Sequence, residues 1–110
     1  MRVVEIIRRE VCYPHLNVRI ACSHGGAMPA NNGTNHQCIE DIGILSTIPN
    51  MTAVMPADCH TACELVRTAA KFDRPLYLRF TRDAVPVIPA RTVSLSWAGQ
   101  NSCTRGAILL

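Results

Sequence analysis

The sequence predicts an α/β fold in which helices flank a parallel β-sheet. Three short segments rich in β-branched and apolar residues alternate with segments whose apolar residues recur at helical spacing. Short connections between alternating strands and helices are typical of a parallel sheet. The chain has 110 residues, of which 48% are hydrophobic, so its apolar content suffices for a core and fits one domain or part of one.

The first helix is predicted over residues 2–13, where apolar residues recur every three or four positions. It ends at Tyr13, because the residue before a proline, here Pro14, is pushed out of the helical region. Residues 17–22 are rich in β-branched residues and predict the first strand. The Gly-, Pro- and Asn-rich residues 23–33 that follow predict a loop.

A second helix is predicted to open at Thr34. Thr34 and Gln37 have the spacing of a capping box. In this motif the threonine hydroxyl bonds the backbone amide of the residue three positions later, and the side chain of that residue bonds the backbone amide of the threonine. The helix ends before Pro49. Its inward face is expected to contain Ile39, Ile42 and Leu45.

The next strand is predicted over residues 51–55. Asp58 then has the position and chemistry of an N-cap for a third helix. Its inward face is expected to contain Ala62, Leu65, Val66 and Ala69. Pro75 precedes the last predicted strand, residues 76–80.

We expect residues 1–88 to form a partial domain. Pro86 and Pro89 mark a change of register, and residues 89–110 are interpreted as a linker that leads toward a C-terminal domain not contained in the chain. The first helix starts without a capping residue, and the apolar end at Leu110 lacks a turn. Both ends therefore look cut.

Charge and composition exclude several classes of function. The formal charge is +3, the basic residues are dispersed, and aromatic residues make up 5% of the chain, so neither a basic patch for nucleic acid nor a base-stacking surface is predicted. A single arginine could still bind one phosphate. No apolar stretch approaches the roughly 20 residues needed to cross a bilayer, and the start does not resemble a signal peptide. We expect a cytoplasmic protein with reduced cysteines that binds neither nucleic acid nor membrane.

Polar residues follow each predicted strand, at the edge where a parallel sheet binds ligands. His24 follows the first strand, Asp58 and Cys59 follow the second, and Arg82 follows the third. His36 is expected at the second position of a helix, whose unpaired N–H groups suit an oxyanion or a phosphate. From spacing alone, a histidine near a helix start is more often a surface residue.

Two groups of Cys and His residues are candidates for a metal site. Those that lie close in sequence are Cys22, His24, His36 and Cys38, and then Cys59, His60 and Cys63. Structural zinc ligands are normally separated by two to four residues, and a spacing of one is unusual. We therefore favour small unligated thiols and predict no metal site, while a Cys/His metal module stays open as a third hypothesis.

A longer pattern lies between Tyr13 and about Ile88. Its motifs are Tyr13-Pro14-His15-Leu16-Asn17-Val18, His24-Gly25-Gly26, Gly33-Thr34-Asn35-His36-Gln37-Cys38-Ile39-Glu40-Asp41-Ile42, Ile48-Pro49-Asn50-Met51-Thr52, Pro56-Ala57-Asp58 and Pro75-Leu76-Tyr77-Leu78-Arg79-Phe80-Thr81-Arg82. In this order they resemble the pyrimidine-binding domain of transketolases, especially the two-subunit form of bacteria and archaea. The resemblance covers about two thirds of the chain and depends on the combination of motifs.

The resemblance implies a thiamine-diphosphate-dependent enzyme that transfers a two-carbon ketol unit between sugar phosphates, as in the pentose phosphate pathway. The family's counterparts of His24 and His36 lie in the substrate channel and contact the sugar hydroxyls and carbonyl. The counterpart of Arg82 holds the substrate phosphate. Asn32 stands where the family has an acid that binds a substrate hydroxyl, and Asn31 replaces a second acid, so the family's sugar selectivity does not carry over to this chain.

The family's catalytic glutamate has no counterpart in this chain, because none of the four glutamates matches it. In the family, the diphosphate and Mg²⁺ are held by another domain or subunit. We therefore expect no cofactor on the isolated chain, and a working form that is dimeric and includes a thiamine-diphosphate-binding domain or subunit. The alternatives are a non-catalytic remnant or interaction module and a segment similar to deoxyxylulose-phosphate synthase, although His36-Gln37 and Asn17-Val18 favour transketolase.

Overall fold

A computed structural model of the protein describes residues 3–88 and the backbone of residues 107–109. Within these residues, four strands form one sheet with the order β1-β3-β2-β4. The strands are β1 (Arg19–Cys22), β2 (Thr52–Pro56), β3 (Leu76–Arg79) and β4 (Ala107–Leu109). The helices are α1 (Val4–Ile6), which continues as π-helical turns over Ile7–Cys12, α2 (Asp41–Ser46) and α3 (Cys59–Ala69).

The strand pairings on both sides of β3 confirm the predicted parallel sheet with flanking helices. Leu76 of β3 is in register with Arg19 of β1 on one side and with Thr52 of β2 on the other, both in parallel. β4 pairs with β2 in the antiparallel direction, with Val54 opposite Leu109. The sheet is thus mixed at this edge. Most of the predicted linker, residues 89–106 and residue 110, lies outside the described residues.

Two apolar clusters cover the two faces of the sheet. Adjacent residues of β2 and β3 contribute to opposite clusters, as expected when successive side chains of a strand alternate between faces. One cluster contains Cys12, Leu45, Ile48, Met51, Ala53 and Tyr77. The other contains Val54, Leu65, Ala69, Leu76 and Leu78. The first helix and α2 therefore cover one face, and α3 covers the other.

The N-cap predicted at Asp58 is confirmed. Its carboxylate accepts a hydrogen bond from the Thr61 amide at 2.8 Å, and the Thr61 hydroxyl lies 3.0 Å from the Asp58 amide, which completes a capping box. The predicted inward face of α3 is correct for Leu65 and Ala69 but wrong for Val66, which is 52% exposed. Thr61 is buried on this helix although it is polar. Burial is tolerated because its hydroxyl is hydrogen-bonded to Asp58 within the cap.

The capping box predicted at Thr34 is wrong. Residues Thr34–His36 form a single 3-10 turn, Gln37 is extended, and α2 begins only at Asp41. The Gly26 amide donates to the Cys38 carbonyl at 2.6 Å in an antiparallel bridge, which holds this segment extended and outside any helix. As a consequence Ile39, predicted to point inward, is 69% exposed.

The C-terminal end of α3 is held by β1. The guanidinium of Arg19 donates hydrogen bonds to the carbonyls of Ala69, Ala70 and Phe72. A cation at a helix C-terminus satisfies carbonyls that lack an intrahelical partner and interacts favourably with the helix dipole. Among the described residues, no helix is long and apolar enough to cross a membrane.

Candidate functional site

The segment that carries His24 is hydrogen-bonded to two other segments, one later in the same connection between β1 and α2 and one that follows β3. The Gly25 amide donates to the carbonyl of Phe80, two residues before Arg82, at a distance of 3.4 Å. The Gly26 amide donates to the carbonyl of Cys38, two residues after His36, at 2.6 Å. These two backbone contacts hold together the three segments in which the predicted site residues lie.

His24 has a constrained backbone and a positioned ring. Its φ of 65° lies in the left-handed region, which side chains other than glycine adopt uncommonly, although histidine is enriched there. The Nδ1 atom lies 2.8 Å from the hydroxyl of Ser23. This contact orients the exposed ring and leaves Nε2 free to contact a ligand.

His36 lies in the 3-10 turn and not at the start of a helix, so the predicted contribution of a helix N-terminus to this site is wrong. Its Nδ1 is 3.2 Å from the backbone carbonyl of Asn32, one of the predicted substrate-binding residues. A carbonyl can only accept a hydrogen bond, so Nδ1 donates and carries the proton. In the neutral ring, Nε2 is then the acceptor, suited to a hydroxyl proton.

Arg82 is available for an anion. Its Nε is 3.8 Å from Asp83 Oδ1, at the outer limit of an ion pair, and both side chains are exposed. An exposed pair at this distance contributes little energy, so a phosphate could displace it. Within the described residues, no hydrogen bond or ion pair links the side chains of His24, His36 and Arg82 to one another.

Sequence reasoning did not identify a buried polar network beside these loops. Arg79 Nε lies 3.0 Å from Asp41 Oδ2, and the Tyr77 hydroxyl donates to the same oxygen at 2.7 Å. Arg79 also donates to the carbonyl of Cys38 at 3.0 Å. Burial, strengthened by the hydrogen bond to Asp41, raises the pKa of Tyr77 far above its usual range, so the phenol stays protonated.

Glycine at position 25 is required by this network. A Cβ atom there would overlap the Nε of Arg79, which donates to the segment after His36 through its Nη2. The carbonyl of Cys38 therefore receives donors from Gly26 and from Arg79. The sequence signal that could have revealed the network is an arginine and an aspartate in otherwise apolar surroundings, since such charges are rarely buried unless paired.

The Cys and His residues considered as metal ligands are not assembled by the fold. Among the described residues, no group of three or more His, Cys, Asp or Glu side chains is arranged to hold a metal ion. Cys38 bridges to Gly26, while Cys59 and Cys63 lie exposed on α3. The five described cysteines are all free thiols.

The four glutamates do not form a cofactor-binding acid. Glu5 and Glu10 pair with Arg9, and Glu64 pairs with Arg67, with all three carboxylates about half exposed. The fourth, Glu40, is exposed and accepts from the amide of Ile39. A carboxyl group that protonates a cofactor ring needs a raised pKa, which burial provides. None of the four carboxylates fits that role.

Comparison with known proteins agrees with this fold. A family model described as "Transketolase, pyrimidine binding domain" matches residues 1–87. A solved structure described as "Split gene transketolase, inactive beta4 tetramer" superimposes with a TM-score of 0.73 and 38% identity, covering 86% of this chain and 29% of that one.

Three curated relatives show the same similarity. A putative transketolase C-terminal section of Methanocaldococcus jannaschii is 40% identical over 87 residues, which are 79% of this chain and 28% of that protein. A subunit of the apulose-4-phosphate transketolase of Phocaeicola vulgatus is 33% identical over 77% of this chain and 27% of its own length. The 1-deoxy-D-xylulose-5-phosphate synthase of Lysinibacillus sphaericus is 37% identical over 74% of this chain and 13% of its own length.

The chain thus spans less than a third of the length of the relatives it matches. The match includes the three joined segments and the whole parallel part of the sheet. The chain belongs to the transketolase pyrimidine-binding domain family.

Proposed function

We propose that this chain is the substrate-side segment of a transketolase-like enzyme that transfers a two-carbon ketol unit between sugar phosphates. The observation that carries the proposal is the pair of backbone hydrogen bonds from Gly25 and Gly26, which join the loops of His24, His36 and Arg82. Two imidazoles and a guanidinium at one edge of a parallel sheet are suited to a phosphorylated sugar. Asn32, in contact with His36 through its carbonyl, adds an amide for a sugar hydroxyl.

Each residue has a role that follows from its contacts. Arg82 binds the substrate phosphate, because its exposed guanidinium offers several donors and is only weakly paired. His36 Nε2 accepts the proton of a sugar hydroxyl, since Nδ1 is held as a donor. His24, oriented by Ser23, donates to or accepts from a second hydroxyl or the carbonyl.

The proposed working form includes a second polypeptide or domain. Thiamine diphosphate supplies the electron sink for ketol transfer when bound. Because none of the four glutamates fits the acid that such a cofactor needs, the proposal assigns the cofactor and its Mg²⁺ to the other component. One relative is named as a transketolase subunit, and a solved structure that this chain resembles is described as a tetramer of a split-gene product, which supports an assembly of separate chains. The proposal includes a dimeric assembly that acts in the cytoplasm on pentose phosphates.

The first test is substrate binding by the chain itself. Titration with ribose 5-phosphate, followed by NMR, should shift the ring resonances of His24 and His36, and ribose without phosphate should bind at least about tenfold more weakly. Arg82→Ala should remove that preference, whereas Arg67→Ala, an exposed arginine on α3, should leave it unchanged. Equal affinity for ribose and ribose 5-phosphate would contradict the role of Arg82.

The second test is catalysis in a reconstituted assembly. With a complementing thiamine-diphosphate-binding subunit of a two-chain transketolase, ketol transfer should appear, and His36→Ala should reduce turnover by about 100-fold or more. Calorimetry should detect no thiamine diphosphate binding to the isolated chain. An assembly that forms but remains inactive would indicate an interaction module in place of an enzyme segment.

A segment of a deoxyxylulose-phosphate synthase is the second candidate, and the 37% identity to such a synthase supports it. The two activities differ in their products. Reconstitution with each type of cofactor-binding partner, followed by analysis of the sugar phosphates formed, separates them. Accumulation of deoxyxylulose phosphate alone would favour the synthase.

A further inference from the structure

Arg79 and Arg82 lie three residues apart, at the end of β3 and just after it. Arg82 is exposed and belongs to the proposed substrate site. The Arg79 side chain is only 13% exposed, and the proposed function gives it no role. Its guanidinium lies against the segment that carries His24 and contacts the segment that follows His36. A buried arginine between two groups of substrate-binding residues calls for an explanation.

Each nitrogen of the Arg79 guanidinium contacts a different element. Nε lies 3.0 Å from Asp41 Oδ2, at the start of α2. Nη1 lies 3.3 Å from the sulfur of Met55, on β2. Nη2 donates to the backbone carbonyl of Cys38 at 3.0 Å. Because a guanidinium is planar and rigid, these three contacts fix the Cys38 carbonyl relative to both the sheet and α2.

Two glycines allow the same guanidinium to touch the other segment. A Cβ atom at Gly25 would overlap Arg79 Nε, and one at Gly26 would lie 3.2 Å from Nη2. The Gly26 amide also donates to the Cys38 carbonyl, at 2.6 Å. One carbonyl therefore receives a donor from each side, and the Arg79 side chain sets the spacing between the two segments.

The orientation of His36 depends on this anchor. Its Nδ1 donates to the Asn32 carbonyl at 3.2 Å, which requires the 3-10 turn of Thr34–His36 to persist. The residues of that turn are exposed, and an exposed turn with little packing opens easily. Cys38 follows two residues later and is held by Arg79, so the contact at Cys38 limits how far the turn can move.

We propose that Arg79 is a positioning residue of the candidate site. Through the Cys38 carbonyl and the two glycines, it holds His24 and His36 in the arrangement that binds a sugar phosphate, without touching the sugar itself. The inference rests on the proposed function of the two histidines. The competing explanation is a purely structural ion pair with Asp41, which would stabilise the fold as a whole and leave the geometry of the folded site unaffected.

Arg79→Lys separates the two explanations. Lysine keeps a cation for Asp41, but its single ammonium group cannot reproduce the three contacts of the fork. Leu65→Ala is the matched control, because it removes a buried side chain from the apolar cluster on the other face of the sheet and destabilises the protein outside the candidate site. Melts followed by circular dichroism first establish a temperature at which the parent chain and both variants are folded.

Hydrogen exchange at the Gly26 amide reports how firmly the shared carbonyl is held. We expect Arg79→Lys to accelerate exchange at Gly26 at least about tenfold more than at the Leu76 amide, which donates to the Val18 carbonyl within the sheet. Leu65→Ala lowers the stability of the whole fold, so it should accelerate Leu76 at least as much as Gly26. The same pattern in both variants would overturn the positioning role.

Nitrogen NMR of the His36 ring gives a spectroscopic readout. In the parent chain and in Leu65→Ala, the neutral ring should carry its proton on Nδ1, which donates to Asn32. In Arg79→Lys, signals of the tautomer with the proton on Nε2 should appear, because the turn is no longer anchored. An unchanged tautomer in Arg79→Lys would also overturn the proposal.

Ribose 5-phosphate is titrated into the same samples. If the binding-competent arrangement persists in only about a tenth of the Arg79→Lys molecules, the apparent affinity falls about tenfold. Leu65→Ala should bind as the parent chain does. A parent chain that does not bind, while exchange and tautomer respond as expected, would contradict the proposed function and leave the hold of Arg79 on His36 intact. Binding that Arg79→Lys leaves undiminished would contradict only the positioning role.

A measurement on the parent chain alone covers the case in which Arg79→Lys does not fold. The Nη protons of Arg79 should give separate NMR resonances, because rotation within the guanidinium would break its contacts with Cys38 and Met55. Those of the exposed Arg67 should be averaged. Averaged resonances for Arg79, or a parent chain without a cooperative melt, would overturn the proposal.

Discussion

Arg79 and Asp41 form an ion pair inside the protein, with Arg79 Nε 3.0 Å from Asp41 Oδ2 and only 13% and 7% of the two side chains exposed. The two residues come from different elements, β3 and the start of α2. Arg79 also binds the Cys38 carbonyl, so the pair connects the sheet to the loop that follows His36. Its stability is therefore linked to the geometry of the candidate site.

Loss of Arg79 should be strongly destabilising. Arg79→Ala would leave Asp41 buried without its cation, and we expect the free energy of unfolding to fall by about 3–5 kcal/mol. Arg67→Ala is the matched control, because its pair with Glu64 is exposed and should contribute less than about 1 kcal/mol. Urea denaturation followed by circular dichroism measures both. Similar losses in the two variants would contradict the importance of the buried pair.

The raised pKa of the buried Tyr77 phenol leads us to expect a loss of stability at alkaline pH. Burial and Asp41 raise the pKa of Tyr77 well above its ordinary value of 10.0. Above about pH 10 the unfolded chain releases the phenol proton while the folded chain keeps it, so the unfolded state binds fewer protons and stability falls as pH rises. Below about pH 10 this contribution is fully present.

The measurement is the free energy of unfolding between about pH 8 and about pH 11, on either side of the ordinary tyrosine pKa. Tyr77→Phe should make the alkaline decline shallower. Tyr13→Phe removes a hydroxyl from a side chain that is 82% exposed and should leave the slope as in the parent chain. A parent chain and a Tyr77→Phe variant with the same slope would disprove the linkage.

Asp58 connects the third helix to the chain after β3. Its carboxylate accepts from the Thr61 amide at 2.8 Å and from the Ile88 amide at 3.1 Å. Asp58→Ala should lower the melting temperature and accelerate hydrogen exchange at the Ile88 amide, because the two oxygens of one carboxylate accept from both segments. Unchanged exchange at Ile88 would contradict this connection. The control is Asp83→Ala, which changes an exposed carboxylate outside the cap.

The same residue predicts a response to acid. The hydrogen bond from the Thr61 amide, followed by that from its hydroxyl, holds the pKa of Asp58 below its ordinary value of 3.8. The stability it contributes is therefore present above about pH 4 and is lost as pH falls through the lowered value. Asp58→Asn keeps an oxygen acceptor without a charge, so its acid denaturation should depend less steeply on pH. An identical acid profile would contradict the role of the charge.

Glycine substitutions at two positions should have opposite effects. At Gly25 a methyl group would displace Arg79 from Asp41, and we expect Gly25→Ala to destabilise the protein by about 1–3 kcal/mol. Gly43 lies in α2 with no atom within 4 Å of an added Cβ, so Gly43→Ala should stabilise by about 0.5–1 kcal/mol. Equilibrium unfolding of both variants provides the comparison, and the same sign for both would be inconsistent with the contact at Gly25.

Local patterns in the sequence determined the alternation of helices and strands. They also determined the cap at Asp58, because an acidic N-cap bonds an amide only three residues away and needs no distant partner. The parallel sheet followed from the order of the elements, since strands separated by short helical connections pair in parallel. The placement of His24 and Arg82 after strands could be predicted for the same reason.

Only the tertiary structure decided the features that depend on residues far apart in the chain. The hydrogen bond from Gly26 to Cys38 holds the residues after His36 extended, which overrides the local helix signal at Thr34 and exposes Ile39. The ion pair of Asp41 with Arg79 spans separate elements, and its net energy is a small balance between desolvation and attraction that depends on the final geometry.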